Sequence, residues 1–134
     1  MRRQAGRGVK TIGLFNLSAC LLFATTASAA MAAGDAKRGE ELSRLHCARC
    51  HVVADDMPFA GIGSTPSFML MVNYLADWED RFQTFYARRP HPVHVRVKGL
   101  DSLTNLPSNA APIDIELADV EDILSYVRTL KKTE

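Results

Sequence analysis

Two thiols and an imidazole stand within five residues of one another in "LHCARCHVV", at Cys47, Cys50 and His51. A C-x-x-C pair has a short chemical repertoire. It can hold a metal through thiolates, cycle between dithiol and disulfide, form a structural disulfide in an exported protein, or bond covalently to a larger group. Structural zinc needs four ligands, normally drawn as pairs from two segments. The chain has no second C-x-x-C; His91 and His94, spaced H-x-x-H, are the nearest approach to a second ligand pair, and Cys50 and His51 are adjacent. A thioredoxin-type pair wants a βαβ context, whereas this one falls at the end of a helical pattern. A plain disulfide leaves His51 without a task.

The fourth possibility uses all three residues, because C-x-x-C-H is the attachment signal of c-type haem. Cys47 and Cys50, about one helical turn apart, can add to the two vinyl groups on one haem edge. His51 follows at once and turns its imidazole toward the iron as the proximal ligand. Attachment needs reduced thiols in an exported chain.

The amino terminus fits that need. "MRRQAGRGVK" carries Arg2, Arg3, Arg7 and Lys10 without an acid, and an apolar stretch ending in small residues follows. This pattern predicts a signal peptide over residues 1–29. Cleavage after Ala29 or Ala32 leaves about a hundred residues, with the folded domain over 33–134. Two other readings stay open: an uncleaved anchor, and a lipobox at "LSAC" that would acylate Cys20. Arg2-Arg3 alone is a weak twin-arginine signal. Periplasmic export is the expectation, with membrane association only if Cys20 is lipidated or the leader stays on. Beyond the leader remain 12 basic residues against 15 acidic ones, a net −3. That balance gives no electrostatic case for nucleic acid or anionic lipid.

Three helices must position the motif. The first is expected over Asp35 to Cys50, with Asp35 as N-cap; Gly39 inside it implies a close approach by another element. The second is expected from Thr65, the cap, with Pro66 in the first turn, to Arg88. Phe68, Met71, Leu75, Trp78, Phe82 and Phe85 make one continuous apolar stripe along it, read as core against the haem or, in part, as an interface. The third is "LADVEDILSYVRTLKK", with Leu117, Val120, Ile123, Leu124, Val127 and Leu130 on one side. Between them "VHVRV" alternates well enough for a short strand, and the rest reads as loop. The predicted fold class is all-α, a small helical domain wrapped around one covalent haem.

At these residues the chain resembles the class I cytochrome c family of small, exported, monohaem proteins. "GDAKRGEELSRLHCARCH" is similar to the family's amino-terminal helix running into its haem site. "LADVEDILSYVRTL" is similar to its carboxy-terminal helix, with Tyr126 at the aromatic position and Gly39 where the two helices cross. "GIGSTP" resembles the loop whose proline carbonyl accepts a hydrogen bond from the proximal histidine, a role that falls to Pro66. The stretch from Ser67 to Asn109 carries no family signature.

The resemblance also exposes a departure. The family's distal methionine, followed by proline, precedes the last helix, and here the matching residues are Ala111 and Pro112. Alanine cannot bind iron. Candidates for the far face are Met69 and Met71 on the second helix, Met57, His91 and His94 in the following loop, or a weak donor such as Asn109. No ligand at all is the remaining option. If "VHVRV" is extended, His91 shares a face with Val93, Val95 and Val97, which favours His91 over His94. His46 reads as an exposed helix residue.

The expected function is one-electron transfer between redox protein partners. The alternatives are an open-site haem protein that binds or senses a small ligand, and a dedicated cytochrome subunit or electron acceptor of a periplasmic dehydrogenase. No catalytic acid–base pair or nucleophile triad is visible, so an enzyme is not expected. Arg81, Arg88, Arg89, Arg96 and Lys98 form a cationic middle, and Asp114, Glu116, Asp119, Glu121 and Asp122 an acidic run. They read either as a dipolar docking surface or as two solvated faces.

Overall fold

The first described helix starts where the side chain of Asp35 accepts the amides of Lys37 and Arg38, at 2.9 and 3.2 Å. The computed structural model describes residues 33–108 and 110–132. The leader with its cleavage sites, Cys20 and Asn109 lie outside the described residues. Helix α1 (Ala36–Leu42) widens into a π-helical turn, Ser43–Cys47, beside the point where the buried Ser43 hydroxyl donates to the Gly39 carbonyl. A serine bonded back one turn in this way bends a helix. The helix therefore stops at Cys47 rather than Cys50, and the amides of Cys50 and His51 both close on the Cys47 carbonyl, at 3.0 and 2.9 Å.

The long second helix is not continuous. It is divided into α2 (Phe68–Tyr74), α3 (Trp78–Gln83) and a single 3₁₀ turn, Phe85–Ala87, with Leu75 extended between the first two. Ser67, not Thr65, caps α2, accepting the Leu70 amide at 3.1 Å. A straight helix over those residues would run about 35 Å, longer than a hundred-residue domain with a radius of gyration near 13 Å can keep against one core. Breaking it wraps the stripe instead: Phe68, Val72 and Phe82 are buried, and Met71, Leu75, Trp78 and Phe85 half-buried. The break is held by the carboxy-terminal helix, where Lys131 Nζ donates to the Val72 carbonyl and Asn73 Nδ2 to the Leu130 carbonyl.

The fold is mostly helical but not all-helical. After a 3₁₀ turn, His91–Val93, strand β1 (Val95–Val97) pairs in parallel with β2 (Ile113–Ile115). Val95, Val97 and Ile115 are buried with Val120 as a second small core. Only three residues of "VHVRV" are strand, so alternation does not set the direction of His91. The same pairing places Arg96 beside Asp114, at 2.7 Å, and Lys98 beside Glu116. Two members of each charge block thus pair across the sheet, and Arg38, outside the cationic block, pairs with Asp119 and Asp122.

Helix α4 (Leu117–Thr129) buries Val120, Ile123, Leu124 and Val127, while Leu117, expected on that side, is exposed. Tyr126 is buried and donates its hydroxyl to the Val53 carbonyl at 2.9 Å. Helices α1 and α4 cross at Gly39, where an added Cβ would overlap the backbone carbonyl of Asp122. Among the described residues no helix is long and apolar enough to cross a membrane.

Asp119 joins these helices. Its carboxylate accepts the Glu116 amide at 2.8 Å in a capping box and pairs with Arg38. Burial pushes this carboxyl up, but the amide and the Arg38 guanidinium outweigh it and hold it below the ordinary range. A depressed folded pKa contributes stability that is present above the unfolded value near 3.9 and lost as pH falls through the folded value. Asp119→Asn is therefore expected to lower stability at pH 7 by about 1–2 kcal/mol, the scale of lost cap and charged hydrogen bonds. Urea midpoints of variant and parent should converge as the pH falls through the lowered folded value of Asp119.

Candidate functional site

The residues that end α1 open onto a cavity of about 800 Å³. That volume lies within the range of sites that hold cofactor-sized ligands. Its apolar wall includes Phe68, Met71, Phe82, Phe85, Ile113 and Ile123, so one side of the broken stripe faces it. Cys47, Cys50 and His51 line it as well, together with all three other histidines, His46, His91 and His94. Four arginines, Arg49, Arg81, Arg88 and Arg89, complete the lining, and no acidic residue contributes to it. A flat apolar group carrying carboxylates matches such a wall.

Both cysteines are free thiols, Cys47 half-buried and Cys50 exposed. Burial, helped by the neighbouring Cys50, pushes the Cys47 thiol up to about 12. Among the described residues no three His, Cys, Asp or Glu side chains gather as a metal site, which is fewer than structural zinc needs. The donor set instead suits a group attached through carbon–sulfur bonds and held by single imidazoles.

His51 is fixed by its surroundings. Its Nδ1 lies 2.8 Å from the Pro66 carbonyl oxygen. A carbonyl only accepts, so Nδ1 carries the proton and Nε2 keeps its lone pair. Burial lowers the pKa of the ring, opposed by the bond to Pro66, so the neutral form prevails near pH 7. Phe68 packs against it with ring centres 5.5 Å apart. Pro66 thus acts from an extended segment before α2, not from the helix's first turn. The loop that carries it is anchored by Ile62, whose amide donates to the Cys50 carbonyl at 3.0 Å. Gly61 sits at φ 78°, and an added Cβ would lie 2.8 Å from that same Cys50 oxygen. Position 61 therefore needs glycine on two grounds, left-handed backbone and close approach.

His91 stands next to His51, with ring centres 6.2 Å apart and planes within 8° of parallel. Its Nδ1 lies 3.0 Å from the Arg88 carbonyl, so its Nε2 is also the free nitrogen. Burial lowers its pKa, with the Arg88 bond opposing and the two neighbouring histidines assisting. His94 is half-buried and bonded through Nδ1 to Ser108 Oγ at 3.0 Å. Met57 and Met69 are half-buried against the main core and do not line the cavity; Met71 does. Ala111 is exposed at its edge. His46, expected to be exposed, lies in the π-helical turn, is half-buried and lines the cavity.

Arg88, Gly61 and Ser108 went unnoticed as positioning residues. The glycine-rich "GIG" was a visible signal for the first turn of that loop, but Arg88 and Ser108 act through contacts that only the fold creates. Compared with protein-family models, curated proteins and solved structures, the chain matches none, and its own residues carry the functional reading.

Proposed function

We propose that the chain is an exported class I, monohaem c-type cytochrome that passes single electrons between redox protein partners. The observation that carries this is the C-x-x-C-H motif at the mouth of a haem-sized apolar cavity, with His51 Nδ1 tied to a proline carbonyl. Cys47 and Cys50 would hold the haem by two thioethers. His51 would bind its iron. The haem, when bound, supplies a reversible one-electron couple at iron.

The chain's own residues do the rest. Pro66 fixes the His51 tautomer and raises its basicity as a ligand. Phe68, Phe82 and Phe85 exclude water from the ring. Of the four arginines at the wall, Arg81 is paired with Asp77 and Arg88 with Asp80, so Arg49 and Arg89 would be the ones to offset carboxylates of the group. Among the described residues Arg49 and Arg89 make no ion pair. They favour a redox partner that presents acidic groups. The signal peptide over residues 1–29 belongs to the same proposal, because thioether attachment takes place on an exported chain.

The test is the intact mass of the protein secreted from a host competent in haem c attachment. The expected mass is that of the processed chain plus one haem, retained after acid denaturation, with a reversible one-electron wave in film voltammetry. A processed chain without haem overturns the reading.

A further inference from the structure

We infer that His91 is the second axial ligand of the iron, opposite His51, an inference that rests on the haem reading above. Two imidazoles on one metal must satisfy three conditions. Each needs a free nitrogen, their separation must match two metal–nitrogen bonds, and each ring must be held in place from behind.

The free nitrogens follow from the tautomers. Both rings give Nδ1–H to a backbone carbonyl, Pro66 for His51 and Arg88 for His91, and both leave Nε2 unbonded. The separation follows from bond lengths. A metal–imidazole bond of about 2 Å and about 1.1 Å from nitrogen to ring centre, counted on both sides, put the centres about 6.3 Å apart. The observed separation is 6.2 Å. Both rings line the same cavity.

The support behind His91 is also present. The Arg88 carbonyl takes both the His91 amide, at 2.9 Å, and the ring Nδ1–H, which locks the ring to its own 3₁₀ turn. Arg88 itself is tied back by Nε to Thr84 Oγ1 at 2.8 Å and by an ion pair with Asp80. Phe85 meets the ring edge-on, with centres 5.5 Å apart at 82°. Ligating histidines are oriented through their second nitrogen in this way. His94 instead belongs to the loop of residues 108–110: its Nδ1 donates to Ser108, whose hydroxyl donates to the Ala110 carbonyl.

The test starts from the intact haem-bearing protein, so absence of covalent haem, read as mass, is the failure of the underlying proposal and is seen separately. On the ferric protein, near-infrared magnetic circular dichroism should show the charge-transfer band of a bis-imidazole pair. Because the two planes lie within 8°, electron paramagnetic resonance should show a rhombic low-spin signal with three resolved g values rather than one large g value. The ferrous protein should not bind carbon monoxide on mixing. In His91→Ala the low-spin signal should be lost, carbon monoxide should bind, and added imidazole should restore the low-spin form; His94→Ala should leave the spectra unchanged. A thioether signature or high-spin iron in the parent overturns the inference. So does a low-spin spectrum that survives His91→Ala, or one that is lost in His94→Ala instead. Where His91→Ala yields no protein, the parent's own spectra together with His94→Ala decide the question.

Discussion

The double variant Cys47→Ser, Cys50→Ser is expected to yield a protein from which all haem is extracted by acidified organic solvent. Serine keeps the size and polarity of each side chain but cannot form a thioether. Cys47 lies at the end of the π-helical turn and Cys50 three residues on, both on the cavity wall. In the proposed haem protein the two bonds would tether one edge of the group whatever the state of the iron, whereas a histidine–iron bond alone is reversible. Each single variant should retain haem through the remaining thioether, at lower yield. Intact mass and the absorbance of the extract check all three proteins. Haem that resists extraction from the double variant would show that some other attachment operates.

Gly39→Ala is expected to be the most destabilising single-methyl change in the domain. In a helix interior alanine is ordinarily favoured over glycine by about 1 kcal/mol. Here the methyl would overlap the Asp122 backbone carbonyl, and a carbonyl inside α4 cannot rotate away as a flexible side chain can. The helices must separate, loosening Asp119 and Asp122 from Arg38 and opening the core around Leu124 and Val127. A loss above about 3 kcal/mol is expected, since backbone overpacking exceeds the helix-propensity gain. In a domain of this size that corresponds to a drop in Tm of roughly 12 °C or more. Gly63→Ala is the matched control, because nothing lies within 4 Å of its added Cβ. Circular dichroism melts of the two variants should therefore diverge, and a Tm for Gly39→Ala at or above that of the parent would contradict the helix crossing.

Local features were readable from the chain because their causes are local. Asp35 caps α1 through its own neighbours' amides, and α4 carries its apolar face within one segment. Gly39 signalled a close approach, and the resemblance named the carboxy-terminal helix as the element that approaches it. Cys47, Cys50 and His51 lie within five residues, so their chemistry could be stated before any fold was known. The second helix was misjudged for an instructive reason. An apolar stripe reports which side chains want burial, and says nothing of whether one straight rod can deliver them all. Leu75 is extended between α2 and α3, and Lys131, just past the end of α4, takes the Val72 carbonyl one turn before it.

His91 marks the boundary most clearly. Alternation along "VHVRV" singled it out, yet the residues in question form a 3₁₀ turn, so the argument does not hold even though the residue lines the cavity. What places its ring beside His51, 40 positions earlier, is the Arg88 carbonyl, the Phe85 edge and the turn between α3 and β1. The two charge blocks likewise looked separate along the chain, until parallel pairing of β1 with β2 set Arg96 against Asp114 and Lys98 against Glu116. By itself the sequence determined the thiols, the imidazole that follows them and the helices at either end, since each depends on spacing within one turn or one segment. Only the tertiary structure decided which carbonyl holds His91, how near its ring lies to that of His51 and which charges remain at the cavity mouth, because those depend on backbone groups and long-range pairings that leave no periodic trace in the chain.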